Sequence, residues 1–160
     1  MKASDLIKKL EADPEYQEMR KRKAKELEER KAILAEDERG LVEELRSIGY
    51  EIDSVWDFVN NANRHEFLRK FHGSYSSAYP ILVKHLGVKH HPAIREGVIR
   101  ALTEKDANQV ASEALIAAFY QEQEPNIKWV LANALRTVLT RSQKKKHPDY
   151  KAIYNGKGQS

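Results

Sequence analysis

The sequence predicts an all-α protein built from stacked pairs of helices, and three observations carry that expectation. Two stretches match at an offset of 33 residues: Pro92-Ala-Ile94-Arg95-x-x-Val98-x-x-Ala101-Leu102 returns as Pro125-Asn-Ile127-Lys128-x-x-Leu131-x-x-Ala134-Leu135. The match extends upstream, with Leu82, Val83 and Leu86 falling on Leu115, Ile116 and Phe119, so the repeating object is a pair of helices. Each second helix opens on a proline, Pro92 and Pro125, whose missing N–H costs nothing in a first turn. A period of this length marks architectures in which each unit buries its apolar face against its neighbours.

Residues 1–50 form the charged part. A short helix is expected over 3–11 with Ser4 as N-cap, after which Asp13-Pro14 restarts the chain with proline in the first turn. From Pro14 to about Ile48 the only strong breaker is Gly40, and a long charged helix is expected. Glu18 with Arg22 and Glu26 with Arg30 are acid-before-base pairs four apart, each supporting an exposed helix by about 0.2 to 0.5 kcal/mol. Leu27, Leu34, Leu41 and Ile48 recur every seven residues, with Ala24 and Leu45 between them, as a narrow apolar seam. That seam suits an N-terminal helix packed on the repeats as a cap, since terminal units of a repeat array are atypical. It also suits the arm of a coiled-coil dimer, although the basic run 20–23 interrupts it, so a monomer or weak dimer is expected.

Residues 51–140 form the apolar part. Ser54-x-x-Asp57 has the spacing of a capping box, and Val55, Trp56, Phe58 and Val59 follow as a short buried helix. A second short helix over 66–71 stops at Gly73, making 53–72 a degenerate unit. Two full repeats follow, 76–107 and 108–140, with helices expected over 76–86, 92–103, 108–121 and 125–140. Residues 141–160 are a basic tail whose last residues have a composition that favours disorder.

The net charge of +4 and pI near 9.2 point to the tail alone. Residues 1–50 hold 12 Lys and Arg against 13 Asp and Glu, residues 51–140 hold 10 against 10, and residues 141–160 hold 6 against 1. Cysteine is absent, which removes disulfides and thiolate metal sites and fits a reducing compartment. Without an apolar run long enough for a signal peptide or a membrane span, a cytoplasmic protein that does not enter membranes is expected. The chain has no Gly-rich phosphate loop, no Gly-x-Ser-x-Gly elbow and no His-Glu-x-x-His. His90 and His91, with His85 five residues earlier, lack the four-residue spacing of a zinc-binding helix. No metal or cofactor is expected, and no catalytic residue set can be assembled.

The helix pair with proline near the start of its second helix and a basic residue three positions later, Pro92 with Arg95 and Pro125 with Lys128, resembles a HEAT repeat. The resemblance covers residues 76–140 and, more loosely, 53–72; with the stretch 53–60 it is similar to small bacterial HEAT-repeat proteins of unassigned function. It implies a short right-handed α-α superhelix. It also implies a ladder between neighbouring repeats in which Arg95 and Lys128 meet an acid, for which Asp106 is the candidate. HEAT proteins bind other molecules on the concave face lined by second helices. With Ile94, Val98, Ala101, Leu102 and their counterparts facing the core, Glu96 and Arg100 on one helix and Trp129, Asn133 and Arg136 on the next are left as candidate contacts.

Trp129 stands where the preceding repeat has Glu96, so it is either an interface anchor or a residue covered by Tyr150 or Tyr154 of the tail. The expected function is therefore non-catalytic protein binding, with toxin neutralisation by a bacterial immunity protein as one concrete form. The alternative is nucleic-acid binding through Lys144, Lys145 and Lys146. A HEAT-like alkylpurine DNA glycosylase is a lesser alternative, because Trp56-Asp57 reads as core plus cap.

Overall fold

In the computed structural model the described residues are 2–155, and every regular element among them is helical. The side chains of Tyr154 and Asn155, the remainder of the tail and Met1 lie outside the described set, and so do the expectations placed on them. The chain divides into two compact units, residues 1–36 and 37–160.

The first unit holds α1 (Ala3–Glu11) and all but the last residue of α2 (Pro14–Asp37). Lys2, not Ser4, occupies the N-cap of α1. The Asp13 carboxylate accepts a hydrogen bond from the Glu15 N–H at 3.0 Å, which starts α2 behind Pro14. Neither helix contains a buried residue, and Leu6, Ile7 and Leu10 of α1 remain exposed.

The long helix ends before Gly40. Glu38 leaves helical geometry with φ −95° and ψ 4°, and α3 (Arg39–Ser47) begins after it. The reason is a competing attachment: the Glu38 side chain turns inward, where its Oε2 accepts from Val55 N–H at 2.9 Å and Ser54 Oγ at 3.1 Å. The heptad seam therefore breaks into two faces. Leu41 and Leu45 are fully buried, whereas Leu27 and Ile48 are 52% and 44% exposed.

In the second unit, α4 (Trp56–Asn60) follows, then α5 (Tyr79–Leu86), α6 (Pro92–Ala101), α7 (Asn108–Gln121) and α8 (Pro125–Val138). Helix α5 packs on α6 and α7 on α8, while α5 also packs on α7 and α6 on α8. The 33-residue offset holds in burial as well as in sequence. Ala78, Leu82, Ile94, Val98, Ala101 and Leu102 are core residues, and so are Ala111, Leu115, Ile127, Leu131, Ala134 and Leu135. The preceding stack consists of α3 on α5 and α4 on α6. Its first helix thus comes from residues that the charge pattern assigns to the N-terminal region, because Leu41, Val42 and Leu45 supply an apolar stripe there.

The expected helix over 66–71 is a 3-10 turn, Glu66–Leu68, that leaves Phe67 89% exposed. Phe71, by contrast, points inward and joins Tyr50, Phe58, Tyr75 and Tyr79 in a chain of ring contacts with centroids 4.7 to 5.7 Å apart. Helices α9 (Arg141–Lys146) and α10 (Tyr150–Asn155) complete the described chain, and α10 packs on α8 with Tyr150 buried.

Candidate functional site

The second helices of the two repeats are fixed by their first turns. His91 caps α6, its Nδ1 accepting from Ala93 N–H at 3.0 Å, and Glu124 caps α8 by accepting from Asn126 and Ile127 N–H at 3.1 and 2.7 Å. Between the repeats, Arg95 Nε stands 3.5 Å from Glu122 Oε1, with both side chains largely buried. The acid that meets Arg95 is therefore Glu122, one residue past α7, and not the expected Asp106. Asp106 is engaged elsewhere, by the hydroxyls of Ser74 and Tyr79, which hold its carboxyl below the usual carboxylate range. Lys128, the counterpart of Arg95, places its ammonium 4.9 Å from the centroid of the Phe119 ring.

With α6 and α8 so placed, Glu96, Arg100 and Trp129 line one cleft of about 820 Å³. Arg100 Nε donates to Glu96 Oε1 at 2.9 Å, an i,i+4 pair about one third exposed on both sides. Trp129 is half-buried, and Ala152 and Ile153 of α10 line the same cleft with Pro125 and Lys128. The described tail residues Ala152 and Ile153 thus share a cleft with the Trp129 indole, Pro125, the Glu96 carboxylate, the Arg100 guanidinium and the Lys128 ammonium.

Arg136, expected beside Trp129, lines a different cleft together with Lys105, Asn108, Thr137 and Lys144. Asn133 is half-buried and borders neither cleft. The basic run is not an unstructured arm at its start. Thr140 and Gln143 form a complete capping box at the head of α9, and the Gln143 side chain also accepts from Asn108 Nδ2 at 2.7 Å and donates to Ser112 Oγ at 3.2 Å. Lys144 is held half-buried, while Lys145 and Lys146 are exposed.

No group of three or more His, Asp or Glu side chains among the described residues is arranged to hold a metal ion. Of the histidines, His85 and His90 stand in contact: His85 Nδ1 lies 2.8 Å from His90 Nε2, and each ring also meets a carboxylate. The five-residue spacing alone does not reveal this, because the turn after α5 is what folds His90 back over His85. Trp56 is half-buried rather than fully in the core, donating from Nε1 to the Ala93 carbonyl at 3.0 Å. Asp57 is also structural. Burial alone raises its carboxyl, but the Asp53 N–H, the Lys70 ammonium and the Ser54 N–H bind the charged form and hold it below the ordinary value.

Among the described residues no helix is long and apolar enough to cross a membrane. Compared with protein-family models, with curated proteins and with solved structures, the chain matches none.

Proposed function

We propose that this is a non-catalytic protein-binding module of HEAT-like helical-repeat type, and that it takes its partner in the groove between α6, α8 and α10. The observation that carries this reading is the composition of that groove, whose lining brings together a half-buried Trp129, Ile153 and Pro125 with Arg100, Lys128 and Glu96. An aromatic anchor with a guanidinium beside it and a polar rim is the arrangement in which binding energy concentrates at protein interfaces. A bacterial immunity protein is one concrete instance of such a module, resting on fold analogy.

The test is affinity capture from lysate with the tagged wild type and with Arg100→Ala and Trp129→Ala, at low and at high salt. A protein retained by the wild type at high salt and lost from both variants supports the reading, provided the variants keep their helical circular dichroism. Retention by both variants overturns it.

A second reading has its own support. Lys105, Arg136 and Lys144 share a cleft, and Lys145 and Lys146 continue the same helix as an exposed basic edge. Three to five such cations engaging phosphates give a log affinity that falls linearly with log salt, with a slope of roughly −0.9 per contact. Nucleic acid recovered at low salt, lost at high salt and lost on Lys144→Glu with Lys145→Glu moves the function to α9.

A further inference from the structure

Three contacts run in series from α2 through the loop after α5 to α3. Asp37 Oδ2 stands 2.8 Å from His90 Nδ1, His90 Nε2 stands 2.8 Å from His85 Nδ1, and His85 Nε2 stands 3.1 Å from Glu44 Oε1. The side chains of His85 and His90 are only 7% and 5% exposed, so water does not take the place of these partners. Each contact needs one hydrogen, three in all. Two neutral imidazoles carry two, one on each ring. With only two, some pair of lone pairs must face each other, either nitrogen against nitrogen in the middle or nitrogen against carboxylate at one end.

We propose that the His85–His90 pair is a proton-binding site, which in the folded protein holds one hydrogen more than two neutral imidazoles and uses it to fasten α3 to α5. The surrounding charges agree. Lys84 donates to both oxygens of Glu44, at 2.8 and 2.9 Å, so Asp37, Glu44 and Lys84 leave one negative charge that the additional proton cancels. Both carboxylates are already engaged as acceptors, Glu44 by Lys84 at both oxygens and Asp37 by the His91 N–H, so the third hydrogen is assigned to the rings.

The other titratable groups nearby are committed elsewhere. His91 donates its N–H to Asp37 Oδ1 and accepts from Ala93 N–H at Nδ1, Arg95 donates to the Leu86 carbonyl, Glu38 faces Val55 and Ser54, and Lys89 is exposed. The consequence is a fastening that is complete in acid and loosens as the pH rises, since loss of the proton leaves two ring nitrogens or a nitrogen and a carboxylate in repulsive contact.

The deciding experiment counts ring hydrogens by nitrogen-detected NMR of the imidazoles at about pH 7. One bare ring nitrogen among the four of His85 and His90 is the expected result; two bare nitrogens overturn the proposal. Amide exchange, corrected for its intrinsic pH dependence, gives the structural consequence. Protection of α3 should fall about tenfold more than that of α8 when the ring hydrogen is removed by raising the pH, and His90→Gln should abolish the difference; equal loss in both helices overturns it. Should His90→Gln fail to fold, the hydrogen count on the wild type still decides.

Discussion

Gly97 of α6 lies directly against Trp56 of α4: a β-carbon on Gly97 would stand 2.9 Å from the indole Nε1 and 2.8 Å from Val55 Cγ1. The indole cannot retreat, because the same Nε1 donates to the Ala93 carbonyl one turn earlier on α6. Glycine here is a requirement of close approach between helices. Gly97→Ala is expected to cost about 1 to 3 kcal/mol by overpacking. Gly40, with nothing within 4 Å of its β-position, should respond with the opposite sign, Gly40→Ala gaining about 0.4 to 1 kcal/mol through the unfolded chain. Urea unfolding of the two variants checks both; equal signs refute the packing account.

The repeat register is tested by cavities. Leu102 and Leu135 occupy equivalent places 33 residues apart and are 0% and 1% exposed. Leu102→Ala and Leu135→Ala should each lower the unfolding free energy by about 2 to 5 kcal/mol. A loss below about 1 kcal/mol at both positions contradicts the shared burial.

Glu38 and Asp57 should bend the pH dependence of stability in opposite directions. Burial pushes the Glu38 carboxyl above its ordinary value, against the opposing hydrogen bonds from Val55 and Ser54. Its contribution is therefore present at low pH and lost as the pH rises through the folded-state value. Glu38→Gln, which keeps an acceptor for Val55 N–H, should match the wild type near pH 4 and equal or exceed it near pH 7. Asp57 is held low, so its contribution is present above the unfolded value of about 3.9 and lost on acidification. Asp57→Asn should cost about 1 to 3 kcal/mol near pH 7, with the deficit shrinking as the pH falls. Urea midpoints of both variants across pH 3 to 8 provide the measurement.

The attachment of α10 to α8 rests on Tyr150, which is 4% exposed. Tyr150→Ala should cost about 3 kcal/mol, close to other buried aromatic truncations. It should also increase quencher access to Trp129, since Ile153 of the same helix lines the cleft that holds the indole. Unchanged stability together with unchanged quenching speaks against a docked α10.

The core of the two repeats was legible because apolar spacing and burial are one signal there: Leu82, Ile94, Val98, Ala101 and Leu102 and their counterparts 33 residues on are buried in both copies. The break at Glu38 was not legible, since charge pattern and helix propensity favour continuation and the deciding partners, Ser54 and Val55, lie 16 and 17 residues away. Glu122 was missed for a related reason. It sits one residue beyond α7, and only the packing of α6 and α7 on the shared α8 brings it to Arg95. Of the five concave-face candidates, Glu96, Arg100 and Trp129 line one cleft, while Arg136 lines another with Lys105 and Asp106, a separation that helical periodicity does not show.

The ring chain through Tyr75 and Tyr79 gives the molecule an internal optical indicator. Burial, reinforced by Glu104 and Asp106, drives both phenols far above the ordinary tyrosine value while the fold is intact. Alkaline titration followed by tyrosinate absorbance should therefore leave the Tyr75 and Tyr79 phenols silent until the helices around them separate. Their sudden ionisation would then be the colour change of unfolding itself, read without a dye, a label or an added tryptophan.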